Sequence, residues 1–299
     1  MIFLLLSILS SCCIYLVFKY ISIFKISILP VIIVNYFVAF ILGIGFTETA
    51  LSELTSTTEA TWFWFSLYLG VMFILVFNLM AKTTASHGVG VVSVASKMSL
   101  SIPVLFVFLY YGEEFTWFKF IGFVLALIAV FLISYSKPSS LNQLDTSNKF
   151  ILLLPVLVFL GSGIIESSIK FAEEELIPNN EVANFSAFVF LTAGCCGLLF
   201  KVIQKFLKTE VLNNNANFKK TLLAGIALGV PNFFSIYFFI LALKSEILTS
   251  AAVFIVNNVA IVILATLLGI VLFKEDFKFK NKLGIALAIL SICLIFLGE

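Results

Sequence analysis

Lys97 lies within "VASKMSLSIPVLFVFLYYGEE", residues 94–114, a run otherwise apolar enough for lipid. An ammonium group supplies a point charge and three hydrogen-bond donors. At the centre of a bilayer it costs at least about 2.5–3.5 kcal/mol unless it faces protein or water, so an intramembrane lysine marks a functional site by default. Other polar residues punctuate apolar stretches: Ser96 beside Lys97, Asn257-Asn258, Asn35, and Asn232 after Pro231. Asparagine both donates and accepts. Lys97, Ser96, Asn257, Asn258, Asn35 and Asn232 together form a candidate set for a ligand with a carboxylate or phosphate and a polar body. Abundant Phe and Tyr would line its walls. A structural alternative stands beside each. Lys97 could bond helix-end carbonyls or a buried carboxylate, and the asparagines could be interhelical hydrogen-bond pairs.

Two titratable residues are candidates for proton coupling. Glu166 is expected near the far end of its span, with Lys170 placed to pair at i+4. His87 sits beside Gly88 at a span boundary, where an ordinary interfacial histidine is the alternative to a titrating switch. Other chemistry is poorly served. The chain has one histidine and five cysteines, Cys12, Cys13, Cys195, Cys196 and Cys293, none at metal-ligand spacing. Neither D-x-x-D nor H-E-x-x-H occurs, and no phosphate-binding G-x-x-x-x-G-K-[ST]. No enzyme activity, metal or cofactor is expected. A membrane enzyme on a lipid or prenyl substrate, and a channel, are the alternatives weighed against a carrier.

The elements that must position these residues follow from composition. The chain has 299 residues, 62% hydrophobic and only 11% charged, against about 25% charged in a soluble domain. A helix needs about 20 apolar residues to cross the hydrocarbon. Ten stretches qualify: 2–18, 27–46, 61–81, 88–111, 117–135, 150–170, 184–203, 219–243, 248–273 and 279–298. Unbroken apolar runs exclude a barrel, which would alternate. The first run lacks a basic flank and a cleavage site and reads as a retained helix. "AEEEL" at 172–176 and "EDFKFKNK" at 275–282 read as solvated connectors. The expected fold is all-α integral membrane, with the lipid bilayer and a small-molecule substrate as partners, no nucleic acid, and a monomer or homodimer.

All basic residues are lysine. Apart from Lys97, the lysines fall almost entirely on the side of the connectors after odd-numbered spans; only Lys119, Lys170 and Lys244 lie on the other side. The positive-inside rule places the lysine-rich side in the cytoplasm and both termini outside.

The chain also repeats. "GEEFTWFKFIGFVLALIAVFLI" at 112–133 and "KEDFKFKNKLGIALAILSICLI" at 274–295 align at a constant offset of 162 residues. Glu113 matches Glu275, Phe115 matches Phe277, Gly122 matches Gly284 and Ala126 matches Ala288. The expected organisation is a first five-helix repeat over 1–136, a linker at 137–149 and a second repeat over 150–299. An odd number of spans per repeat inverts the second relative to the first. Glu113 and Glu275 are expected to cap the fifth and tenth spans.

Ten spans, a five-plus-five duplication, and a first half with Pro103-Val104 before Gly112-Glu113 resemble the drug/metabolite transporter superfamily, in its EamA branch. The second half departs from the pattern, with Ala265-Thr266 and Lys274-Glu275 at the matching places. The resemblance implies export or exchange of a small metabolite across the bacterial cytoplasmic membrane by alternating access, the substrate held between the halves. The family handles amino acids, nucleotide sugars, phosphorylated sugars and drugs. Its ten-helix members are often drawn with both ends inside, opposite to the lysine count.

Overall fold

The computed structural model describes residues 1–24, 26–47, 60–87, 89–114, 116–134, 149–206, 218–273 and 279–299. Glu275, Lys274 and the linker at 137–148 lie outside the described residues. The described chain is helical throughout: α1 Ile2–Ile23, α2 Ile28–Gly45, α3 Thr61–His87, α4 Val89–Met98, α5 Ser101–Tyr110, α6 Trp117–Ser134, α7 Lys149–Glu175, α8 Val182–Phe206, α9 Phe218–Lys244, α10 Ser250–Phe273 and α11 Phe279–Gly298. Among the described residues ten helical spans are long and apolar enough to cross a membrane, α4 and α5 together forming the fourth. The chain is a multi-pass integral membrane protein.

The apolar runs set these helices, because a bilayer leaves backbone N–H and C=O groups no partner outside their own segment. One expectation fails at the end of the sixth span. "AEEEL" is not a loop: α7 continues to Glu175, and Glu173 is buried. Ala, Glu and Leu are strong helix formers, so the helix outlasts its apolar stretch.

The chain divides into two compact units that are not the sequence halves. One comprises Met1–Ile74 and Phe171–Lys244, the other Leu75–Lys170 and Ser245–Glu299. Each draws on both halves, and the boundaries fall inside α3 and α7.

In the first unit α9 packs against α1 and α2, and α2 also packs against α8. Small residues permit these contacts, as membrane helices require. A Cβ on Gly225 would meet Val34, and one on Gly229 would meet Val38 and the Asn35 carbonyl, so α2 and α9 run parallel. Gly43 lies against Ala187 and Gly197 against Ile33, so α2 and α8 run antiparallel. Ser7 Oγ donates to the Ser235 carbonyl at 2.9 Å.

In the second unit α6 and α11 form the central pair. A Cβ at Gly122 would approach Ile295 Cγ1 to 2.8 Å and the Ser291 carbonyl to 3.1 Å; one at Gly284 would approach Ile133 Cγ1 to 2.7 Å and the Ala129 carbonyl to 3.2 Å. These contacts exchange under the 162-residue offset: Ile133 corresponds to Ile295, and Ala129 to Ser291. Repeat-matched helices therefore pack reciprocally and antiparallel, with Ala126 and Ala288 both fully buried.

The start of α10 is held by two carboxylates. Glu113 accepts from the Ser250 amide at 2.9 Å and the Ala251 amide at 3.0 Å. Glu299 accepts from the Thr249 amide at 3.0 Å and the Thr249 hydroxyl at 2.6 Å, and pairs with Lys119 at 3.1 Å. Glu113 thus caps the ninth span rather than the fifth, because α10, beginning beside it, presents amides with no intrahelical partner. Glu113→Ala is expected to lower stability by about 2 kcal/mol, and Glu113→Gln, which keeps one acceptor oxygen, by less. Unfolding midpoints in detergent check the order. For Glu299, partial burial pushes the pKa up, but hydrogen bonds from Thr249 and the Lys119 ammonium outweigh burial and leave it lowered. Its contribution is therefore present above the ordinary carboxylate pKa and is lost as pH falls through the lowered value.

The three lysines that break the charge asymmetry are all tied to protein. Lys119 is buried against Glu299. Lys170 is buried, its ammonium 5.5 Å from the Tyr111 ring centre. Lys244 donates to the carbonyls of Glu173 and Ile177, at 3.0 and 2.7 Å, near the end of α7, where a cation is favoured.

Candidate functional site

The fourth span breaks beside Lys97. α4 ends at Met98 and α5 begins at Ser101, with a turn at Ser99–Leu100. Pro103 explains the position: it has no N–H to give the Ser99 carbonyl four residues earlier, and its ring crowds that carbonyl. The Ser99 carbonyl instead accepts from the Ile102 amide at 2.9 Å. Ser99 Oγ donates to the Ser96 carbonyl at 2.6 Å, the Leu100 amide to the Lys97 carbonyl at 3.4 Å, and Ser101 Oγ to the Met98 carbonyl at 3.0 Å. The serines of this stretch thus satisfy backbone freed by the break, as membrane depth demands. Lys97 occupies the last turn of α4, where the helix dipole favours a cation.

The lysine reaches across to α10. Lys97 Nζ lies 3.5 Å from Asn258 Oδ1. The Asn258 amide nitrogen donates to the Phe254 carbonyl at 3.2 Å, and the Glu166 carboxylate lies close to both the Asn258 side chain and the Lys97 charge. Lys97, Asn258 and Glu166 come from α4, α10 and α7, all within one compact unit. Glu166 Oε2 and the neighbouring Ser167 Oγ are buried and have no hydrogen-bond partner among the described residues.

This corrects the placement of Glu166. α7 extends nine residues beyond it, roughly 13 Å, and its neighbours are Lys97 and Asn258. Local i+4 spacing suggested a surface pair worth about 0.3–0.5 kcal/mol.

Asn257, next to Asn258, is buried on α10. Ser96 lies one residue from Lys97, and its carbonyl serves the turn. Asn35 and Asn232 are elsewhere: Asn232 Nδ2 donates to Asn35 Oδ1 at 3.1 Å, joining α2 to α9 in the other unit. Asn35 is 1% exposed, and this bond ties two membrane helices together. His87 closes α3, with Nδ1 2.9 Å from Ser86 Oγ. Among the described residues no group of His, Cys, Asp or Glu could hold a metal ion.

A protein of Haemophilus influenzae (strain Rd), described only as uncharacterized, is 31% identical over 234 residues, covering 78% of this chain and 75% of its own. The chain belongs to the same family as that protein. A protein of known crystal structure superimposes with a TM-score of 0.71 over 99% of this chain and 96% of its own, at 14% identity, which shows a shared fold. No protein-family profile matches the chain.

Proposed function

We propose that this protein is a secondary transporter that moves a small polar metabolite across the cytoplasmic membrane by alternating access, as an exporter or exchanger. The observation that carries this reading is the Lys97–Asn258–Glu166 cluster beside a break in the fourth span. An ammonium, an amide and a carboxylate inside membrane helices are costly to keep, and membrane proteins retain such groups on substrate and ion pathways. Broken helices that bring polar groups to mid-membrane are a recurring way of building a carrier site.

The reciprocal, antiparallel packing of α6 on α11 supports an inverted five-plus-five repeat, and with it membership of the drug/metabolite transporter superfamily in its EamA branch. Glu166, facing Lys97, is the candidate for proton coupling. The lysine distribution favours both termini outside the cytoplasm.

Counterflow in proteoliposomes tests the reading. Vesicles loaded with unlabelled L-alanine, L-leucine, L-phenylalanine or glucose 6-phosphate are given the labelled compound outside. Transient accumulation that saturates with concentration is expected for at least one of them. Uptake rising linearly with concentration for every solute would indicate a pore and end the carrier reading.

A further inference from the structure

The compact unit formed by Met1–Ile74 and Phe171–Lys244 is polarised in charge. Its described carboxylates, Glu173, Glu174, Glu175 and Glu181, all lie between the last turn of α7 and the start of α8. The end of α9 is there too, since Lys244 donates to the Glu173 and Ile177 carbonyls. The start of α9 is therefore at the opposite end of the unit, and it carries Lys219 and Lys220, both exposed.

Helix register brings two more lysines to that end. Phe3 stacks with Phe238 and Ser7 bonds to Ser235, so α1 and α9 run antiparallel. Lys19 lies about three turns beyond Ser7, and Lys220 about four turns before Ser235, roughly 18 and 22 Å in the same direction. Gly197 of α8 packs on Ile33, and Gly225 of α9 on Val34 and the Val31 carbonyl. Lys201 follows Gly197 by about one turn and Lys220 precedes Gly225 by about one and a half, so both reach the level of the first turn of α2. Lys19, Lys201, Lys219 and Lys220 thus gather, from three helices, around the start of α2.

Lysine stems lie along apolar surface while their ammonium groups reach outward. Just inside these lysines Tyr20, Val202, Ile203, Phe218 and Leu223 are exposed. A cationic rim over an apolar band suits a molecule with an anionic head and acyl tails; a free phosphate would use the rim alone. The first turn of α9 holds no acid, and its lysines stand against the helix dipole, a cost that an anion among them offsets.

We infer that this rim is a binding site for an anionic phospholipid of the phosphatidylglycerol type, its phosphate held among Lys19, Lys201, Lys219 and Lys220 and its chains lying along the apolar band. Basic clusters between membrane helices take anionic headgroups in this way. The inference is independent of what the protein transports.

The test titrates the purified full-length protein, stripped of lipid in detergent, with phosphatidylglycerol and separately with phosphatidylcholine of the same chains, and counts bound lipid by native mass spectrometry. The first phosphatidylglycerol is expected to bind about tenfold more tightly, or better, than the first phosphatidylcholine. A basic residue near a lipid headgroup changes binding about fivefold. Lys19→Gln should therefore weaken the first step about fivefold, and Lys219→Gln/Lys220→Gln about twentyfold. The double variant removes exposed charges that a helix start disfavours, so it should unfold no earlier than the unmodified chain in lipid-free detergent. Lys280→Gln/Lys282→Gln removes the same charge from the start of α11. There α6, packed beside it through Ile133 and Gly284, carries a lysine only at its other end, so this variant should change the first step by less than about twofold. Equal affinity for the two lipids overturns the inference. So does equal weakening by the two double variants, which would mean a diffuse surface attraction. Full competition by glycerol 3-phosphate at matched concentration also overturns it, leaving a phosphate site without a lipid.

Discussion

Lys97→Met is expected to destabilise the folded protein by about 3 kcal/mol, and the double variant Lys97→Met/Glu166→Leu to recover most of that loss. The reason is the asymmetry of opposite charges held close together inside membrane helices, here on two partly buried side chains. Removing one partner leaves the other charge uncompensated, at about 3–5 kcal/mol, whereas replacing both with apolar groups of similar size is neutral or stabilising. Lys97 contacts Asn258, Glu166 lies close to both, and Glu166 Oε2 has no hydrogen-bond partner among the described residues. Methionine approximates the lysine stem and leucine fills most of the glutamate volume, so the cycle isolates charge from packing. It is measured as four unfolding midpoints in one detergent. Additive losses in the double variant would mean that the two residues do not act as a pair.

The second large effect concerns the two central glycines. Gly122→Ala and Gly284→Ala are each expected to cost about 1–3 kcal/mol, and the leucine variants more, because the new Cβ arrives within 2.8 Å of Ile295 Cγ1 or 2.7 Å of Ile133 Cγ1, with backbone carbonyls just behind. The contacts are reciprocal, so rescue should be too. Ile295→Ala should relieve Gly122→Ala, and Ile133→Ala should relieve Gly284→Ala. Exchanging the rescuers should relieve neither. Folded yield and midpoint of the eight single and double variants decide this, and indiscriminate rescue would contradict the reciprocal packing.

The ten spans were legible because a run of apolar residues of bilayer length has few other uses; the edges agree within a few residues except where α1, α3 and α7 continue into polar sequence. The break in the fourth span carried a signal in Pro103, although the sequence alone reads a kink there as readily as a break. Lys97 and Asn258 were legible as polar intrusions. Their pairing with Glu166 was not. Counting residues along the sixth span placed that carboxylate by its own helix, and the nearest lysine in sequence, Lys170, looked like its partner. What joins it to Lys97 is a contact between residues far apart in the chain, to which helical periodicity is blind. The same holds for the compact units, which interleave the halves: the repeat is written in residue order, whereas packing follows which small-residue faces meet. The cap on α10 was half legible, since Glu113 signalled a helix start but not which one.

The central claim is that the charged cluster on α4, α7 and α10 binds the transported molecule. The most direct measurement is counterflow of the best substrate found in the proteoliposome assay through the Lys97→Met/Glu166→Leu double variant, reconstituted at the same density of folded protein as the unmodified chain. The predicted result is flux indistinguishable from empty liposomes in a protein whose unfolding midpoint is near normal. Flux at the unmodified rate would contradict the claim and leave the cluster as a structural pair alone.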